Sequence, residues 1–153
     1  MYGIIFDCDG VLVDSEKWSC GAWLPVLQRQ GIDADLADIE AFLGQSDSAV
    51  LKHFSHETGR TLPSELIAEK ERQYYELAQG RLQSFAGLED ALTALEKNKI
   101  PVAVASSGRP KKIQFSLRQV GLYERFPVIC STVEVERGKP APDLFLLAAQ
   151  RLG

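Results

Sequence analysis

Three short apolar runs limit what this chain can fold into: "YGIIF" at 2–6, "PVAVA" at 101–105 and "PVICS" at 127–131. Each is brief and bounded by a polar loop, the profile of a strand buried on both faces in a parallel sheet. Around the second and third runs the apolar period changes to that of a helix. Leu88, Ala91, Leu92 and Leu95 form an i, i+3, i+4, i+7 stripe after Gly87. Ile113, Leu117 and Val120 form another, stopped by Gly121, and Leu144, Phe145, Ala148, Ala149 and Leu152 form a last one over 143–152. Strands alternating with helices predict an α/β fold with a parallel sheet and right-handed crossovers.

Nothing strand-like appears between 14 and 80. Asp14 or Ser15 can cap a helix running to about Gln30, where Gly31 stops it. Residues 35–43, 47–58 and 63–79 give three more helical segments. Val50, Leu51 and Phe54 share a face, and Pro63 with Ser64 opens the last segment. The sequence therefore predicts four helices inserted after the first strand, with hinges at 10–14 and 80–86.

The inserted block hangs from a loop that is costly to make. In "FDCDGVLVDSE", residues 6–16, Asp7 and Asp9 stand one residue apart straight after a buried strand, with Asp14 close behind. Like charges so placed repel, so the loop needs a compensating role. In open parallel sheets ligands bind beyond the carboxyl ends of the strands. Strand one ends at Asp7 and Asp9, strand two at Ser106, Ser107 and Gly108, and the loop after strand three carries Lys139. Two carboxylates, a hydroxyl with adjacent backbone N–H groups, and an ammonium thus converge. Pro110 suits the first turn of the next helix, whose positive end favours an anion at the same place.

Composition removes the main competitors. A net charge of −4 and a pI of about 5.2 argue against nucleic acid or an anionic membrane as partner. No apolar run approaches the ~18 residues that a spanning helix needs. No basic segment precedes an apolar one at the N-terminus, so no signal peptide is expected. Cys8, Cys20 and Cys130 form no CxxC pair and read as reduced thiols, which points to a cytoplasmic protein. With only His53 and His56, a His-rich metal site or a Ser-His-Asp triad has little to draw on.

These motifs resemble the haloacid dehalogenase (HAD) superfamily, in its subgroup with a helical cap inserted after the first strand. "DCDGVLVDSE" is similar to the first family motif, "VAVASS" to the second and "GKPAPD" to the third. The resemblance implies a Rossmann-like core over 1–14 and 81–153 and a cap over 15–80. It implies a Mg²⁺-dependent phosphatase that hydrolyses a small phosphorylated metabolite, a sugar or sugar-acid phosphate, through an aspartyl phosphate. Asp7 would be the nucleophile and, with the Asp9 carbonyl, a magnesium ligand. Asp9 would be the general acid–base. Dehalogenases of this fold lack an acid there, since halide leaves without a proton. Ser106, with the Ser107 and Gly108 N–H groups, would hold the phosphoryl group, and Lys139 would steady its charge. In the cap, Glu16, Gly44, Gln45 and Ser46 are the candidate substrate contacts. Cys8, between the two acids, should point away and pack. Asp143 reads as a helix cap, and Arg109, Lys111 and Lys112 as a solvated helix face.

β-Phosphoglucomutases of the same branch carry a His and an Arg where this chain has Ser19 and Asp47. Both departures favour hydrolysis, and the mutase reading stands as an alternative. The phosphonatase branch needs a desolvated cap lysine, and Lys17 lies in a polar context. The family's fourth motif, one or two acids that complete the magnesium site, is expected about two dozen residues beyond Lys139, whereas the sequence stops at Gly153. Glu134 and Glu136 are the only acids near the last loop to consider as substitutes, and nothing in their spacing recommends them. A chain lacking the later strands should expose "YGIIF" as an apolar edge and self-associate, and should be at best weakly active. A catalytically impaired module that binds phosphate or a protein partner is the second alternative.

Overall fold

The structure is a computed structural model and describes residues 2–153. Its three strands, β1 (Ile4–Phe6), β2 (Val102–Ser106) and β3 (Val128–Ser131), form one parallel sheet in that order. Ile4 pairs with Val102, Ala103 with Val128, and Ser106 with Ser131, so all three strands end toward the same side. β2 is central and buried from Ala103 to Ser106, which is why its sequence shows no polar alternation. The fold is α/β and Rossmann-like.

Eight helices accompany the sheet among the described residues: α1 (Glu16–Gly21), α2 (Trp23–Arg29), α3 (Leu36–Glu40), α4 (Asp47–Thr58), α5 (Glu65–Ala78), α6 (Leu88–Lys97), α7 (Pro110–Gln119) and α8 (Asp143–Leu152). The chain divides into two compact units, Met1–Ser15 with Leu82–Gly153, and Glu16–Arg81. The two joining segments pair within the first unit. Val13 bridges antiparallel to Ser84, and the Asp14 N–H donates to the Gln83 carbonyl at 2.9 Å.

In the first unit, α8 lays Leu144 and Ala148 on Ala103, Ala105 and Cys130, all fully buried. Side chains alternate along a strand, so Val104 points to the other face. It is also fully buried, as are Leu117 of α7 and Leu122 beyond it. Phe6 and Phe126 meet edge to face at 5.8 Å. α7 opens on Pro110 and closes where Gly121 adopts a φ of +72°, letting the Leu122 N–H reach the Leu117 carbonyl at 2.8 Å. Removing the Leu144 side chain would leave a cavity beneath α8. Leu144→Ala should cost about 2–5 kcal/mol in urea unfolding; an unchanged midpoint would show that α8 is outside the cooperative core.

The second unit holds α1 to α5. The single helix expected over 14–30 is two, broken at Ala22. Pro25 explains the break: it has no N–H for the Gly21 carbonyl four residues back, and its ring crowds that carbonyl. Trp23, Val26, Leu27, Ile39, Val50, Leu51, Phe54 and Leu66 form this unit's core. Lys70 is the one buried charged side chain among the described residues, at 4% exposure. Its ammonium donates to Asp47 Oδ1 and Ser19 Oγ, each at 2.9 Å, and the Trp23 indole N–H donates to the same Asp47 oxygen at 3.2 Å. The burial is tolerated because the charge is paired and hydrogen-bonded. Among the described residues no helix is long and apolar enough to cross a membrane.

Candidate active site

β1 stops at Phe6 because the chain curls around the Cys8 carbonyl, which accepts from the N–H groups of Leu12 and Val13 at 3.0 Å each. Gly10, with φ of +74°, turns the chain so that its own N–H meets the Val13 carbonyl at 2.9 Å. That left-handed conformation is open to glycine without a Cβ penalty. Cys8 is buried at the centre of the turn, at 1% exposure, while the flanking Asp7 and Asp9 side chains are 40% and 29% exposed. Burial, with the Asp9 charge adding to it, pushes the Cys8 thiol well above its ordinary range, so it stays protonated and packs.

Asp7 Oδ1 accepts from the Cys8 N–H at 2.7 Å and lies 3.0 Å from the Lys139 ammonium. That ammonium also donates to the Ala105 carbonyl at 2.8 Å, tying the end of β1 to the end of β2. Ser106 closes β2 at 1% exposure. Its Oγ accepts from the Gly108 N–H at 3.1 Å, which leaves its own O–H to donate elsewhere. The Gly108 carbonyl accepts from the Ser131 hydroxyl at 2.6 Å, so the end of β3 braces the same loop. Ser107 is exposed on that loop. The first unit thus brings Asp7, Lys139 and Ser106 together at the strand ends.

A close approach fixes the Lys139 loop. A Cβ at Gly138 would lie 2.6 Å from Thr132 Oγ1. Gly138→Ala should therefore displace Lys139. The expected outcome is a lengthened or lost contact between Lys139 and Asp7, now 3.0 Å, in a structure of the variant. An unchanged contact in the folded variant would show that the loop tolerates the side chain.

Asp9 is held at both oxygens. Ser15 donates its hydroxyl to Oδ1 at 2.5 Å, and the Lys112 ammonium donates to Oδ2 at 3.1 Å. Sequence reasoning missed both partners. Ser15, one of two expected helix caps with Asp14, is fully buried and directed to Asp9. Lys112, expected on a solvated face, has a side chain only 16% exposed, whereas Arg109 and Lys111 are exposed. The signal was available: helical side chains lean toward the N-terminus, so a lysine in the first turn of α7 reaches back over the strand ends.

Asp143 is also reassigned. It begins α8 without capping it, and its carboxylate takes both arms of Arg137 at 2.7 and 3.0 Å. Those hydrogen bonds hold its carboxyl below the usual range. Glu134 is engaged by Arg151 at 2.7 Å and by the Ser131 N–H at 2.8 Å, contacts that hold its carboxyl low. Among the described residues no three His, Cys, Asp or Glu side chains cluster to cage a metal ion. Mg²⁺ does not require such a cage: it keeps several waters and commonly takes one or two carboxylates plus substrate phosphate. The part-exposed Asp7 carboxylate, a hard oxygen donor at the strand end, fits that habit.

The residues singled out in the inserted helices lie in the second unit. Ser46 caps α4, accepting from the Ala49 N–H at 3.3 Å. Gln45 donates its side-chain amide to the Ala41 carbonyl at 3.4 Å. Gly44 has a φ of +79°, and Glu16 is exposed in the first turn of α1.

A parallel α/β sheet with paired aspartates after β1, a serine at the end of β2 and a lysine after β3 defines a class of hydrolase. The family model described as haloacid dehalogenase-like hydrolase matches residues 4–153, and the chain belongs to that family. It is 31% identical to 6-phosphogluconate phosphatase of Escherichia coli over 97% of this chain and 67% of the relative. It is 30% identical to β-phosphoglucomutase of Bacillus subtilis over 99% of this chain and 70% of the relative. The crystal structure of a hydrolase from Pseudomonas syringae superposes with a TM-score of 0.82 at 30% identity, covering all of this chain and 71% of that one. The chain thus spans about seven tenths of the length of these proteins.

Proposed function

We propose that this protein is a phosphatase that transfers a phosphoryl group from a small phosphorylated sugar or sugar acid to Asp7 and then to water. The observation that carries the reading is the Asp7–Lys139–Ala105 connection, which places a charge-balanced carboxylate at the strand ends beside the Ser106 loop. Asp7 is anchored through Oδ1, so Oδ2 attacks phosphorus. The bond to the leaving oxygen breaks as Asp9 supplies that oxygen with a proton. Asp9 then takes a proton from water, which attacks the same phosphorus and frees the Asp7 carboxylate and inorganic phosphate. The Ser106 hydroxyl, the Ser107 and Gly108 N–H groups and the Lys139 ammonium hold the phosphoryl oxygens where negative charge spreads. Asp7 and the main-chain carbonyl of Asp9 would hold Mg²⁺, which neutralises charge on the phosphoryl oxygens when bound.

Glu16, Gly44, Gln45 and Ser46 are assigned to selecting the leaving group, and substitutions there should change KM ratios between substrates more than kcat. The substrate class rests on similarity to 6-phosphogluconate phosphatase. Similarity to β-phosphoglucomutase keeps a mutase in view. Against it, Ser19 and Asp47, which stand where the mutase branch carries His and Arg, are both bound to Lys70.

The test is phosphate release from a panel of sugar phosphates, sugar-acid phosphates and p-nitrophenyl phosphate, with and without Mg²⁺. It should use both these 153 residues and the longest reading frame that contains them. Mg²⁺-dependent release is expected. Isomerisation of β-glucose 1-phosphate without release would establish the mutase instead. Phosphate binding without turnover in either form would establish a binding module.

A further inference from the structure

We propose that Lys112 is a positioning residue for the acid–base carboxylate, and that it references Asp9 to the helix start carrying the phosphate loop. The proposal rests on the phosphatase reading and adds a residue to it. An acid–base group must stand within about 2.6–3.2 Å of the proton it moves. Packing alone does not fix Asp9, whose side chain is 29% exposed on a turn. Contacts at its two oxygens hold it, one from Ser15 nearby and one from the first turn of α7.

The Ser15 contact is local. That serine is fully buried and its N–H is bonded to the Val13 carbonyl at 2.9 Å, so it belongs to the same turn as Asp9. Alone it would let the carboxylate move with its own loop. The Lys112 contact reaches across 103 residues to the first turn of α7. That helix is well seated, with Ile113 and Leu117 at 1% and 0% exposure. It begins two residues past Gly108, whose N–H bonds Ser106 and whose carbonyl takes the Ser131 hydroxyl. The Lys112 ammonium therefore ties the proton donor to the frame that holds the phosphoryl-binding hydroxyl. A lysine suits the task, since its ammonium is a compact point donor on a stem long enough to span the gap.

The experiment measures kcat/KM for Lys112→Met with two esters, a sugar phosphate and p-nitrophenyl phosphate. This ratio reports events through departure of the leaving group. Methionine keeps the length of the stem and removes the ammonium. Displacing the acid should cost the sugar phosphate on the order of ten- to a hundredfold, within the range that general acid catalysis supplies. p-Nitrophenolate leaves without a proton, so its ratio should hardly change. Inhibition by inorganic phosphate should also be unchanged. Combined with Asp9→Asn, the substitution should add nothing further to the p-nitrophenolate burst. Lys111→Met, one residue away and exposed, is the charge control and should behave as the unaltered chain.

Equal losses with both esters, or weaker inhibition by phosphate, would make Lys112 a phosphate-binding or purely structural cation and overturn the proposal. Unchanged ratios with both esters would overturn it as well. Full turnover in Asp9→Asn would remove the acid–base assignment itself, a failure distinguishable because Lys112→Met is not needed to see it.

Discussion

Asp7→Asn is expected to abolish turnover while leaving the fold intact. The residue sits immediately past β1, and its Oδ1 is pinned by the Cys8 N–H and by Lys139. Asparagine has the same shape and keeps an oxygen for the Cys8 N–H, so the turn around the Cys8 carbonyl should survive. Lys139 retains the Ala105 carbonyl as a partner. The ion pair lost is partly exposed on the Asp7 side, and such pairs contribute about 0–1 kcal/mol. Stability should barely move, and relief of repulsion with Asp9 offsets part of even that. Activity should respond very differently. Hydrolysis of phosphate monoesters calls for enhancements of up to ~10²¹, and an amide is not a competent nucleophile toward phosphorus. The check is phosphate release with acid-quench trapping of a phosphorylated protein, alongside urea unfolding. Substantial turnover, or a trapped phosphoryl group in the purified variant, would remove Asp7 from the nucleophile role.

Much of this was legible in the chain because the informative signals are local. The three strands lie within the three apolar runs to within a residue or two, but the burial expected of all three holds over most of the length of β2 alone; β1 is an edge strand with Ile4 exposed and Ile5 and Phe6 half-buried. Gly87, Pro110 and Gly121 mark helix ends, as their backbone preferences dictate. The misreadings have equally definite causes. The helix over 14–30 was drawn through Pro25, although a proline interrupts the bond from its own position to the residue four back. Ser15 and Asp143 were read as caps because serine and aspartate are good at capping; here a tertiary partner, Asp9 in one case and Arg137 in the other, takes the side chain. Lys70 carries the same lesson. Nothing in "AEKERQYYELA" marks one lysine as buried, and only the meeting of α1, α4 and α5 around Asp47 and Ser19 makes it so. Pairings across dozens of residues leave no trace in local pattern, which is why the close spacing of Asp7 and Asp9 was readable and the contact of Lys112 with Asp9, 103 residues away, was not.

Asp9→Asn should separate the two halves of the reaction. With p-nitrophenyl phosphate, whose leaving group needs no proton, phosphorylation of Asp7 should continue. Hydrolysis of the resulting acyl phosphate should stall, because no base remains to take the proton from water. General acid–base catalysis contributes about 10²–10⁴-fold, so steady-state turnover should fall on that order and a burst of p-nitrophenolate should appear. With a sugar phosphate both steps need Asp9, so the loss should be larger and no burst should form. The structure also fixes a local consequence. Asparagine can hold both neighbours, its amide oxygen accepting from the Lys112 ammonium and its NH₂ donating to the Ser15 hydroxyl oxygen, so the turn should keep its shape. Rapid-quench kinetics with the two esters read the two steps separately, and urea unfolding checks that the turn survives. A variant that loses equally little with both esters would show that the proton comes from elsewhere.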